Sequence, residues 1–221
     1  MARQLNIGMI GYSFMGKAHS NGFRQLAAAF PEIGVEPVMK VICGRTESAV
    51  KEAAKTFGWE EYSTDWEEVV ARDDIDVIDI CTPGNEHMTM AIAALEAGKH
   101  VICEKPLANN LKESREILKV AKKTRKKTMV AFNYRRVPAV GLAKQLIAEG
   151  RIGRIFHWRA MYLQDWIIDP DFPLVWRLQK ELAGSGPHGD LNAHIIDLAL
   201  HLVGDIDSVV GADATFIKKR P

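Results

Sequence analysis

A lysine leaving the end of a buried strand, and an aspartate four residues before a histidine on a helical pattern, are groups that can exchange protons with a bound hydroxyl. Lys105 follows the apolar run His-Val-Ile-Cys at 100–103 and is flanked by Glu104 and Pro106, which would fix its direction. At the carboxyl edge of an open α/β sheet, where ligands bind, partial desolvation lowers an amine's pKa until it can share a proton with substrate. The alternative is an ordinary solvated lysine. Asp190 and His194 share one face of a helix by their spacing. The imidazole can take a proton near neutral pH, and the carboxylate could bind a hydroxyl or tune the ring. The same face runs on through Asp197 and His201. A solvated polar stripe, with Leu191, Ile195, Leu198 and Leu202 buried on the other side, is therefore the alternative. Four such groups spread over about 16 Å of helix cannot meet at one ion, so no metal site is expected.

A proton-transfer pair needs a second substrate, and the stretch "IGMIGYSFMGKAHS" at 7–20 points to a dinucleotide. Its pattern is that of a strand, a glycine turn and a helix, the G-x-G-x-x-G arrangement. Gly11 would make the tight turn and Gly16 would let helix and strand pack closely. Ser13 stands where the middle glycine is usual. A small residue still lets backbone approach a pyrophosphate, which is expected at Ser13, Phe14 and Met15, where a helix N-terminus favours anions. An ordinary strand-to-helix turn is the alternative. The second strand ends "VICGRTES", with no acid to hold a ribose 2′-hydroxyl. Arg45, Thr46 and Ser48 suit a 2′-phosphate instead, which tilts the expected cofactor from NAD toward NADP. Arg45 stacked on the adenine, or simply solvated, is the competing reading.

These groups need a scaffold, and the hydrophobic pattern supplies one. Apolar runs at 5–10, 38–43, 77–81, 100–103 and 129–132 alternate with helical patterns at 15–30, 47–58, 85–97 and 110–126. Runs this apolar predict strands covered on both faces, hence a parallel sheet built from right-handed βαβ units. Residues 1–130 are thus expected to form a doubly wound dinucleotide-binding domain of the Rossmann type. Residues 131–221 are expected to form a substrate domain of the α+β class with a mostly antiparallel open sheet. Its predicted parts are a helix at 138–149, a strand at 155–166 with Phe156, Trp158, Tyr162 and Trp166 on one side, a helix at 189–203 and a strand at 208–217. Two strands make a poor sheet with exposed edges, so this domain is expected to be incomplete.

Composition narrows the classes further. The 221 residues carry 29 basic and 28 acidic side chains, a net charge of +1. That balance gives no surplus for a nucleic-acid partner. The basic run at 122–127 follows a helical pattern and suits a solvated helix C-terminus. No apolar stretch reaches the ~20 residues of a membrane span. Cys43, Cys81 and Cys103 each end an apolar run, which reads as buried thiols in a reducing, cytoplasmic setting.

Four segments, "GMIGYSFMGKAHS", "ICTPGNEH", "HVICEKPLA" and "GSGPHGDLNAHIIDLALHLVG", together resemble the glucose–fructose oxidoreductase/inositol dehydrogenase (Gfo/Idh/MocA) family of NAD(P)-dependent sugar and polyol dehydrogenases. "AFNYRRVPAV" and "YLQDW" resemble its levoglucosan- and inositol-dehydrogenase-like members. The resemblance implies hydride transfer between a nicotinamide and a hydroxyl of a cyclic sugar or polyol. It makes Lys105, Asp190 and His194 catalytic, with His194 as base, Lys105 sharing the proton and Asp190 orienting. It places Thr82, Pro83, Asn85, His87 and Glu104 on the cofactor side; a helix N-cap is a second reading of Asn85. Tyr134, Gln164 and Trp176 are candidates for the sugar pocket, with core packing as the alternative. Homo-oligomerisation through the second-domain sheet of a full-length chain is a further expectation. An NAD-dependent glycosidase, a non-enzymatic nucleotide sensor and an inactive fragment are the rival functions.

Overall fold

The computed structural model describes residues 2–221, and two compact units divide at 131/132. In the first, six parallel strands form one sheet in the order β3-β2-β1-β4-β5-β6. They are β1 (Arg3–Ile10), β2 (Val35–Cys43), β3 (Glu61–Ser63), β4 (Val77–Ile80), β5 (His100–Cys103) and β6 (Thr128–Val130). Helices α1 (Phe14–Ala29), α2 (Glu47–Phe57), α3 (Trp66–Ala71), α4 (Gly84–Glu96) and α5 (Leu111–Thr124) connect them. The chain leaves β1 toward β2 on one side and reaches β4 on the other. A crevice therefore opens at the carboxyl ends of β1 and β4, the switch point of a doubly wound sheet.

The strands form where the apolar runs demand burial on two faces. All four β4 residues are buried, including Asp79. One core holds Ile10, Val69, Ile78, Ile80, Met90, Leu95 and Ile117. The other holds Ile7, Met9, Ile42, Val50, Ala54 and Trp59. Local chemistry sets the helix ends. Asp65 accepts from the Glu67 and Glu68 amides at the start of α3, and Asn110 accepts from the Glu113 amide at the start of α5. The basic run closes α5, with Arg125 in the left-handed conformation at its C-cap. β3 and α3 carry no signal in the apolar pattern, because β3 is three polar-faced edge residues. β3 pairs only with 41–43 of β2, so the earlier half of β2 is an edge that tolerates Pro37.

The second unit spans Phe132–Pro221. Its helices are α6 (Pro138–Ala148), the single-turn α7 (Lys180–Ala183) and α8 (Ala193–Leu202), preceded by one π turn at His188–Asn192. The expected antiparallel sheet is not formed: among the described residues, 155–166 and 208–217 are in no strand. An extended segment becomes a strand only with a hydrogen-bonding partner beside it, and these two segments do not pair with each other. Their apolar side chains stand in solvent, with Phe156, Leu163, Val209, Val210 and Phe216 all strongly exposed. The Arg220 guanidinium donates to the carbonyls of Ile167, Asp169 and Phe172 and ties the 167–172 loop to the last residues. Trp166 also packs edge-on to Phe172.

Candidate active site

Register lines up the nucleotide-side residues. Ile10 pairs with Cys43 and Ile80, and Ile80 pairs with Cys103. The next residues along, Gly11, Gly44, Cys81 and Glu104, therefore form one row at the carboxyl edge, with strands ~4.8 Å apart. Thr82, Pro83 and Lys105 follow directly from that row.

Gly11 adopts φ +106°, and a Cβ there would lie 2.7 Å from the Cys81 carbonyl oxygen. Both the conformation and the space exclude a side chain. Gly16 has ordinary backbone angles, but a Cβ would lie 2.2 Å from the Gly11 oxygen, so it is needed for close packing of α1 on β1. Ser13 has φ −71° and caps α1 without a side-chain hydrogen bond. That position has no need of a glycine conformation, so the serine leaves the loop geometry intact. The backbone of Ser13, Phe14 and Met15 opens α1 at the sheet edge, and Ser13 and Phe14 are exposed. These residues fit a pyrophosphate on a helix N-terminus.

At the end of β2, a Cβ on Gly44 would lie 2.1 Å from the Tyr12 ring. An acid cannot occupy that position while Tyr12 packs there. Arg45 and Thr46 beyond it are exposed.

His87 and Glu104, both expected on the cofactor side, are buried with their polar atoms engaged. The two ring nitrogens of His87 lie 2.8 Å from the Thr82 carbonyl oxygen and 2.9 Å from that of Pro106. His87 thus ties the Thr82 and Pro106 segments together from beneath. The Glu104 carboxylate accepts from the Lys105 backbone amide at 3.1 Å and from the His19 ring at 3.0 Å. Asn85 lies inside α4, whose N-cap is Pro83, so the capping role does not fall to it. Its side-chain amide donates to Glu86. The Lys105–Pro106 bond is cis, and Lys105 is half-buried.

His19 and Asp79 carry no expectation from sequence, yet they form a charged cluster under this edge. His19 Nδ1 lies 2.9 Å from an Asp79 oxygen and Nε2 3.0 Å from a Glu104 oxygen. Burial works to lower the His19 pKa, but its hydrogen bonds with Asp79, Cys81 and Glu104 outweigh it and hold the ring well above its ordinary value. Burial pushes the Cys81 thiol up to about 12. The Asp-in-strand signal at 79, inside an otherwise apolar run, could have drawn attention to this cluster: a buried carboxylate requires a partner.

In the second unit the structure draws Tyr134 and Tyr162 to His194, with Gln164 hydrogen-bonded to Tyr162. The His194 ring is buried and stacks on Tyr134, with centroids 4.2 Å apart and planes at 17°. Phe132 meets it edge-on at 6.3 Å. The Tyr134 and Tyr162 hydroxyls are 2.6 Å apart, and the Gln164 amide donates to Tyr162 at 3.3 Å. The hydrogen bond to Tyr162, with burial, raises the Tyr134 phenol to about 12. Trp176 makes its ring contact elsewhere, with the Arg177 guanidinium 4.4 Å from its centroid.

Asp190 lies in the π turn that precedes α8, and its amide donates to the Gly186 carbonyl. The extra residue in that turn means Asp190 and His194 are not spaced as on a regular helix. The solvated-stripe alternative fails at two positions, because His194 and Asp197 are both buried. Asp197 accepts two hydrogen bonds from Arg135, at 2.7 and 2.5 Å, which anchors α8 to the turn that carries Tyr134. Replacing Asp197 by alanine should cost ~1–2 kcal/mol, the lower part of the range for charged hydrogen bonds because Arg135 is partly solvated. Urea unfolding of the variant checks this, and an unchanged midpoint would contradict it.

Residues 5–132 match the family model described as an oxidoreductase family with an NAD-binding Rossmann fold, and 140–220 match a C-terminal domain model of the same family. Levoglucosan dehydrogenase of Pseudarthrobacter phenanthrenivorans is 48% identical over 99% of the chain, which spans 56% of that relative's length. A solved levoglucosan dehydrogenase in complex with NADH and levoglucosan superposes with TM-score 0.97 at 48% identity, over 99% of this chain and 59% of that one. An oxidoreductase domain protein from Kribbella flavida superposes with TM-score 0.95 at 50% identity, over 100% of this chain and 60% of that one. No helix among the described residues is long and apolar enough to cross a membrane. With an NAD-binding Rossmann fold, its glycine turn and both matching models, the chain belongs to the Gfo/Idh/MocA oxidoreductase family.

Proposed function

We propose that the chain carries the dinucleotide-binding domain, 1–130, and part of the substrate domain, 131–221, of a dehydrogenase that oxidises a hydroxyl of a cyclic sugar, with an anhydrosugar such as levoglucosan as the leading candidate. The observation that carries this reading is the row of Gly11, Cys81–Thr82 and Glu104–Lys105 along adjacent strand ends. It sets a lysine amine on the same edge as a pyrophosphate turn. A bound nicotinamide accepts the hydride.

The chain's own residues handle the proton and the sugar. Lys105 polarises the hydroxyl and shares its proton, His194 acts as base, and Asp190 orients the substrate. Tyr134 and Gln164 bind the sugar's hydroxyls and C–H face, and Trp176 borders the pocket. Gly11, Ser13, Phe14 and Met15 hold the pyrophosphate, while Thr82, Pro83 and Asn85 line the ribose side. His87 and Glu104 support these residues from beneath.

The relatives' complexes contain NADH, which favours NAD over the NADP preference drawn from Arg45. The two are separable. If Arg45 meets a 2′-phosphate, Arg45→Ala should weaken NADP binding by roughly 10- to 150-fold, the worth of a charge-assisted hydrogen bond, and spare NAD. Equal effects on both cofactors would leave Arg45 a stacking or solvated residue. The parent reading is tested with a sugar and polyol panel, levoglucosan and inositols included, run with NAD and with NADP and followed by absorbance of the reduced nicotinamide. Turnover of no cyclic sugar by protein that binds NADH would overturn it.

The extended segments at 155–166 and 208–217 are read as strands of an open, mostly antiparallel sheet. Their exposed apolar rows support this, and the same face is the proposed contact between copies. Light scattering on the purified protein reads the oligomeric state.

A further inference from the structure

The family reading uses the glycine turn, the Lys105 segment with Glu104, and α8, but it gives no role to His19 and Asp79, which join Glu104 in a largely buried ionisable cluster. His19 comes from α1, Asp79 from β4 and Glu104 from the residue after β5. They meet at the switch point, where α1 crosses from the β1 side toward the ends of β4 and β5. The side chain of Asp79 is wholly buried, that of Glu104 is 7% exposed and that of His19 17%. Carboxylate oxygens only accept hydrogen bonds, and each ring nitrogen of His19 faces one. Only an imidazolium can donate to both at once.

We propose that His19 is a positioning residue for Lys105: as an imidazolium bridging Asp79 and Glu104, it clamps the Glu104 carboxylate, whose other oxygen fixes the Lys105 backbone. The chain of contacts is continuous. His19 Nε2 holds Glu104 Oε1, and Glu104 Oε2 accepts from the Lys105 amide at 3.1 Å. Nδ1 holds Asp79, which pairs with Met9 of β1 and Ile102 of β5, two residues before the row of Gly11 and Cys81. One cation therefore joins the pyrophosphate helix, the β4 edge and the lysine segment. Without it, two carboxylates would share a dry site with no compensating charge.

Other readings of the cluster are weaker. A ring nitrogen of His19, an Asp79 oxygen and the Cys81 sulfur lie within 4.8 Å of one another, a spacing compatible with a metal. Both ring nitrogens are already committed to carboxylates, and the high thiol pKa keeps Cys81 protonated, where it neither ligates well nor reacts as a nucleophile. The Asp79 carboxyl is itself pushed up by burial, against the pull of His19. The group holds its proton as a unit, so neither partner titrates alone.

The proposal rests on the reading of Lys105 as the proton-sharing residue, but its structural core is testable without turnover. Long-range proton–nitrogen spectra of the purified protein at about pH 9, well above the ordinary histidine value, should show the His19 ring with both nitrogens protonated. That signal should vanish in His19→Gln. In the same variant the Lys105 amide should exchange with solvent at least roughly tenfold faster, while amides of β2 stay unchanged. A neutral ring at that pH, or unchanged Lys105 exchange in the variant, would overturn the proposal. If His19→Gln does not fold, Glu104→Gln keeps the shape, removes one charge, and should show the same local increase in exchange; no increase overturns the proposal equally.

Where the wild-type protein turns over a sugar, His19→Gln should lower kcat on the order of 10²-fold with KM nearly unchanged, because a misplaced lysine costs rate more than binding. A wild type that binds NADH but oxidises no sugar sinks the functional reading, while the exchange and ring-protonation results still decide the clamp.

Discussion

Lys105→Met should reduce sugar turnover by ~10²–10⁴-fold, the usual range for removing a group that assists proton transfer, and leave NADH affinity nearly unchanged. Methionine keeps an unbranched side chain of similar length, so the half-buried stem of Lys105 is replaced without a large cavity. What is lost is the ammonium. The backbone at this position is held independently, by Glu104 accepting its amide and by His87 bridging the carbonyls of Thr82 and Pro106. The loop should therefore keep its path, and the turn at Ser13–Met15, which opens α1 after a different strand, should not sense the change. Stopped-flow turnover together with NADH fluorescence titration separates the two quantities. A variant that binds NADH tenfold more weakly but turns over normally would move Lys105 from the chemistry to the cofactor. Normal values for both would remove it from the site.

The first unit was legible because its strands are buried on two faces. A continuous apolar run such as Val77–Ile80 has no other stable place, and glycines at 11 and 16 leave few alternatives to a strand–turn–helix. β3 and α3 were not legible for the converse reason: Glu61–Ser63 is a polar edge strand whose position is set by pairing with 41–43, a tertiary fact. The second unit misled at 155–166 and 208–217. Alternation correctly reports side chains meant for opposite faces, but it says nothing of whether a partner strand is present, and here none pairs with them.

At the site, residue type was a better guide than role. His87 and Glu104 sit at the expected edge, yet burial makes them supports for their neighbours. His19 could not be singled out from spacing, since its partners are 60 and 85 residues away. Asp197 anchors α8 through Arg135, a contact 62 residues apart that no local pattern encodes.

His194→Ala should also remove most turnover, by ~10²–10⁴-fold, and the environment of the ring explains why it is suited to the task. An imidazole packed on the Tyr134 face, edge-on to Phe132 and beside Tyr162, is held in one orientation by contacts on several sides. It can then exchange a proton with a hydroxyl at a fixed position, instead of sampling rotamers as a surface histidine would. Truncation to alanine also opens space among three aromatic rings, so the decisive variant is His194→Asn, which fills more of that space and lacks a titrating nitrogen. Both should lose turnover, and thermal melting should show the asparagine variant folded. Tyr134→Phe keeps the stack on His194 and removes only the hydroxyl shared with Tyr162. Its smaller loss, about fivefold for one neutral hydrogen bond of ~1 kcal/mol, should fall on kcat and KM together. His201→Ala is the control on the same helix: it is partly exposed, and its carbonyl, which accepts from Lys144, survives the substitution. Its turnover should stay close to that of the parent. If His194→Asn keeps full turnover while His201→Ala loses it, the catalytic face of α8 is the other one. If folded His194→Asn keeps full turnover and His201→Ala does too, the base is not on α8 at all.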